Sequence, residues 1–96
     1  MYEKTRIGNN TSIFTDEGTC KVILHNTKIV EFSNGNIAGL PIILNSGGWT
    51  TVTTKRRMNQ ISDMFGLGFS VYQKDFEWYV VWNGNTLSFY DGMSLV

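Results

Sequence analysis

The segment richest in groups able to do chemistry is Asn45-Ser46-Gly47-Gly48-Trp49-Thr50-Thr51-Val52-Thr53-Thr54-Lys55-Arg56-Arg57-Met58-Asn59-Gln60. Gly47 and Gly48 permit positive φ and a close approach of backbone to a ligand. A helix is expected to begin just after Trp49. Threonines at 50, 51, 53 and 54 would then supply caps and hydroxyl donors, and the first turn leaves several N–H groups without intrahelical acceptors. Those groups, with the positive end of the helix dipole, favour an anion. Lys55, Arg56 and Arg57 follow in the half of the helix where an exposed cation is disfavoured by about 0.3–1 kcal/mol. That cost fades beyond the first turn, and a bound phosphate or carboxylate reverses its sign. Trp49 adjoins the segment, placed to stack on a base or a sugar ring. The candidate ligand-binding set is therefore Gly47, Gly48, Trp49, Thr50, Thr51, Thr53, Thr54, Lys55, Arg56, Arg57, Asn59 and Gln60. The structural alternative uses the same residues: a Gly-Gly turn, a core Trp49, capping threonines and a solvated Lys-Arg-Arg face whose stems cover apolar surface.

Catalytic constellations are not apparent. A nucleophile needs a base and an orienting group, yet His25 sits in a strand pattern and Cys20, five residues away, falls on the opposite face. Asp75 and Glu77 share a face beside a turn, where a solvated edge is the simpler role. One His and one Cys without partners at useful spacing do not make a metal site. The Walker and dinucleotide patterns are missing, and Gly66-Leu67-Gly68 follows a helix, the wrong side for a phosphate cradle. No enzyme, cofactor or metal is expected.

The elements that must position the segment form one domain, because 96 residues leave no room for a second core. At 42% hydrophobic and 14% aromatic, the chain can bury a core. Eight basic and eight acidic residues cancel to zero, which argues against a dedicated DNA-binding domain. A lone cysteine excludes an intrachain disulfide. No secretory signal and no membrane span are read, so the sequons within Asn9-Asn10-Thr11-Ser12 carry no weight and a cytoplasmic setting is expected.

Residues 1 to 18 are polar and read as an N-terminal arm or short edge strand, ordered by a partner if at all; residues 19–96 form the domain. Strands are predicted at Val22–His25, Ile29–Phe32 and, after the Asn34-Gly35 hairpin signal, Ile37–Leu44, where Pro41 marks an edge, a bulge or a bend. A helix over 51–65 places Thr54, Met58, Ile61 and Phe65 on one side, with Lys55, Arg56, Asn59 and Asp63 opposite, and ends at Gly66. Phe69–Gln73, a two-faced apolar Phe76–Trp82 and, after Asn83-Gly84, Thr86–Tyr90 complete a βββ-α-βββ order. The expected fold is α+β: a small antiparallel sheet with one central helix on a face. Trp78, Tyr79 and Trp82 read as core or dimer interface in preference to a stacking platform.

The run from Ile42 to Gln60, with Phe65-Gly66-Leu67-Gly68-Phe69, Gln73 to Val80 and Asp91-Gly92, resembles small bacteriophage-encoded proteins of unassigned function. The resemblance covers residues 22–92 and departs at Ala38–Pro41, which looks like extra length in the third strand. It implies a phage origin, hence the host cytoplasm, and action by binding. Three functions follow: capture of an anionic small ligand such as a nucleotide signal of host defence; a protein-interaction module acting on a host protein; and, third, single-stranded nucleic-acid binding. Self-association is expected, since domains of this size are marginal alone.

Overall fold

The computed structural model describes residues 3–8, 10–16, 18–33, 41–48 and 50–95. Its elements are β1 (Glu3–Gly8), β2 (Thr11–Asp16), β3 (Thr19–Leu24), β4 (Thr27–Ser33), β5 (Ile42–Leu44), α1 (Val52–Phe65), β6 (Phe69–Lys74), β7 (Glu77–Trp82), β8 (Asn85–Ser88) and β9 (Met93–Leu95). The α+β class stands, with the helix between two strand groups. The expectation of one sheet does not. Strands pair as an antiparallel six-stranded sheet, β1-β2-β3-β4-β5-β9, and a three-stranded meander, β6-β7-β8.

Residues 1–18 look too polar for a sheet, yet they contain β1 and β2, and β2 pairs with β3 from Thr11↔Leu24 to Asp16↔Thr19. Backbone pairing does not need apolar side chains, and buried Ile13 is enough to seat the strand on the core. Between β3 and β4 the register shifts, with Val22↔Val30 but Ile23↔Lys28. The extra residue, Ile29, forms a bulge that lets consecutive Ile29 and Val30 both face inward. β5 is interior, between β4 and β9, because Pro41 falls just outside it and removes no ladder hydrogen bond. The Asn34-Gly35 turn lies outside the described residues, as does the stretch 37–40 read as strand. β9 has no signature in the sequence, since three residues are too few to show a period. β7 begins at Glu77, and the turn before it is Asp75-Phe76.

Helix α1 begins at N-cap Thr51, whose Oγ1 accepts from Thr54 N at 3.2 Å. It ends at Gly66 in the left-handed region, φ 62° and ψ 37°, with Leu67 N donating to Ser62 O at 2.9 Å. Thr54, Met58, Ile61 and Ser62 are buried. Met58 and Ile61 join Val22, Leu44, Val80 and Leu95 in one apolar cluster that draws on both sheets, and the Phe65 ring packs tilted against Phe32 with centroids 4.9 Å apart.

The helix also lies along the outer edge of β6 and replaces a neighbouring strand. Ser62 Oγ donates to Phe69 O at 2.6 Å and accepts from Phe69 N at 3.0 Å. Asn59 Nδ2 donates to Val71 O at 2.9 Å, and Asn59 Oδ1 accepts from Val71 N at 2.8 Å. Residues three apart on a helix thus meet backbone groups two apart on a strand. The edge is sealed by side chains.

Candidate ligand-binding site

The start of α1 opens onto a cavity of about 560 Å³. Its apolar floor is Leu24 and Ile29, its far wall the β3–β4 turn with His25, Asn26 and Thr27, and its near wall Ser46, Thr51, Thr53 and Thr54. Among the described residues, five hydroxyls line it and no carboxylate does. Val52 and Thr53, in the first turn, have no intrahelical acceptor for their N–H groups. Thr54 is buried with its hydroxyl 3.0 Å from that of Thr51, whereas Thr53 is exposed and free to meet a ligand.

Three local devices hold this arrangement. His25, at φ 56°, makes the tight turn from Leu24 to Thr27, and its N–H donates to Asn10 O at 2.7 Å. Gly47 sits at φ 62° so close to Thr27 that a Cβ would lie 2.6 Å from Thr27 Cγ2. Asp91 Oδ1 accepts from Ser46 N at 2.8 Å and from Ser46 Oγ at 2.7 Å, fixing the loop ahead of the helix. Desolvation pushes the Asp91 carboxyl up, but hydrogen bonds from the Ser46 side chain and the Ser46 and Gly48 backbone outweigh it and hold its pKa below the ordinary value.

A family model described as Kyanoviridae Gp96 protein matches residues 2–96. The chain belongs to that family. It is therefore a phage protein, as the resemblance of residues 22–92 implied. No curated protein and no solved structure matches it.

In this Kyanoviridae Gp96 family member the twelve residues singled out from sequence do not converge. Thr51, Thr53 and Thr54 line the cavity, with Gly47 and Gly48 in the loop beside it. Trp49 lies outside the described residues. Thr50 faces another cleft, with Gln73, Phe76, Trp78 and Phe89. Lys55 Nζ donates to Gln73 Oε1 at 3.3 Å and lies 5.7 Å from the Trp78 ring centroid. Arg56 is exposed. Arg57 turns towards β1: its Nη1 donates to Gln60 Oε1 at 2.9 Å and its guanidinium lies against Gly8. Gln60 Nε2 in turn donates to Ile7 O at 3.2 Å, and Asn59 serves β6. At 100° per residue three consecutive cations must fan around the axis, so they cannot all face the helix start.

The residues missed from sequence are His25, Asn26, Thr27 and Ser46. Only the short turn could have been noticed, because the folding of β4 against β5 is what carries it to the helix. Trp78 is buried and its ring packs tilted against Phe89 with centroids 5.2 Å apart, as a core residue. Among the described residues no three His, Cys, Asp or Glu side chains gather as a metal site would need, and no helix is long and apolar enough to cross a membrane.

Proposed function

We propose that this Kyanoviridae Gp96 family member is a non-catalytic phage binding protein. It captures a phosphate-bearing small molecule of nucleotide type in the cavity at the start of α1. The observation that carries this reading is the coincidence of five hydroxyls, a helix N-terminus and an apolar floor around one space of about 560 Å³. The hydroxyls and N–H groups would take the phosphate, and Leu24 and Ile29 would take an apolar or aromatic face. Sequestering a nucleotide signal of host defence in the host cytoplasm is the role such a site would serve.

The reading rests on Thr53 and the free N–H groups of the first helical turn in place of Arg56 and Arg57. Isothermal titration against inorganic phosphate and a panel of linear and cyclic nucleotides tests this. Binding to at least one nucleotide is expected, weakened about 10-fold by Thr53→Val and unchanged by Arg56→Ala. Silence across the whole panel, or dependence on Arg56 alone, would sink it.

The second reading, a host-protein interaction module, is favoured by the outer face of the meander. There exposed Tyr72 stacks on half-buried Tyr79 at 5.5 Å, and tyrosine is a residue that anchors protein interfaces. Nucleic-acid binding ranks lower, because Trp78 lies inside the core instead of offering a base a stacking surface.

A further inference from the structure

The turn between β6 and β7 contains Asp75 at φ 53° and Phe76 at φ 67°. Two consecutive positive φ values suit Asn-Gly, and a bulky aromatic there is strained. Phe76 is also 95% exposed. An aromatic ring that is costly to the backbone and idle in its own core has its use outside the molecule. Asp75 and Glu77 flank it, which disfavours a phosphate backbone or an anionic lipid surface as partner.

A receptor of matching chemistry exists on the same chain. The groove between α1 and β6, about 660 Å³, has apolar Val52 and Met64 in its lining, 61% and 53% exposed. Lys55, Arg56 and Asp63 supply its charges. The turn carries two acids and one base, Asp75, Glu77 and Lys74; the groove carries two bases and one acid. Lys55 reaches Gln73 on the same strand, so it stands on the side of the groove nearest the turn.

We infer that Phe76 docks into the α1–β6 groove of a second copy of this chain. Turn and groove follow one another along β6, whose Tyr72 and Gln73 line the groove and whose Lys74 leads into the turn. A two-fold axis beside this strand places each ring in the other copy's groove and closes the assembly as a dimer. The interface is separate from the hydroxyl-lined cavity and does not depend on what that cavity binds.

Sedimentation equilibrium of the full chain tests the inference. The wild type is expected to dimerise, and Phe76→Gly to weaken the dimer roughly 30-fold. Gly suits φ 67°, so that variant should keep the wild-type circular dichroism and melt no earlier at high dilution. Arg56→Glu should weaken the dimer as well, and adding Glu77→Arg should restore much of it. A wild type that stays monomeric up to its solubility limit overturns the inference. So does a dimer indifferent to Phe76→Gly, or one that the Arg56/Glu77 exchange leaves unrestored.

Discussion

At Gly47 the backbone holds φ 62° while a Cβ would come 2.6 Å from Thr27 Cγ2; at Gly48 φ is 86° but nothing lies within 4 Å. The pair looks equivalent in sequence and is not so in space. Gly48→Ala should cost only the conformational strain, about 1 kcal/mol, whereas Gly47→Ala should cost about 2–3 kcal/mol, because the β3–β4 turn must also shift. Urea titration of both variants distinguishes the two costs, and equal losses would mean that Thr27 gives way freely. The same residue scale explains why three cations in a row make no common site. Their stems leave the helix in different directions, and only Arg56 is left exposed to solvent.

At the scale of elements, the most consequential contact is α1 along β6. Asn59 looks, on a helical wheel, like one more polar residue beside Lys55 and Arg56, yet it closes both backbone hydrogen bonds of Val71. Asn59→Leu should leave an N–H and a C=O without their partner and cost about 2–3 kcal/mol. Hydrogen exchange at the Val71 amide should accelerate more than at Val80, in the strand's interior neighbour. An unchanged Val71 amide would show that the clamp is dispensable. The N-terminal hairpin belongs to the same scale. Its polarity hid it, since β1 is specified by ladder pairing to β2, and β2 by pairing to β3, more than by an apolar stripe.

For the whole molecule, Asp91 ties the loop before the helix to a segment 45 residues later, and Gly92 N donates to Leu44 O at 2.8 Å beside it. These bonds return the chain from the meander to the six-stranded sheet, where β9 pairs with β5. The Asp91 carboxyl is held below its ordinary pKa, so the unfolded chain takes up a proton at a higher pH than the folded one. Its contribution is therefore complete above the unfolded carboxylate range, about pH 4, and is lost as pH falls through the lowered folded value. The stability difference between wild type and Asp91→Ala should be flat from neutral pH to about 5 and shrink below about 4. A difference that grows on acidification would mean that the protonated carboxyl holds the loop better.

Sequence by itself determined what is local. The 3.6-residue spacing of Thr54, Met58, Ile61 and Phe65, the capping threonine and Gly66 define α1 almost to the residue, and Asn83-Gly84, at φ 50° and 79°, makes the turn its chemistry demands. The apolar run of Trp78, Val80 and Trp82 likewise marks the central strand of the meander. Tertiary structure decided the rest: that there are two sheets, that β5 is interior, and that His25 and Thr27 meet Ser46 and Thr53 around one cavity. Those facts depend on which strand edges find each other across long stretches of chain. Backbone hydrogen bonding is the same for every residue but proline, so it leaves little mark in composition or period. The threonines at the head of α1 line the cavity proposed to take a ligand, and the groups across that cavity come from a turn some 25 residues upstream.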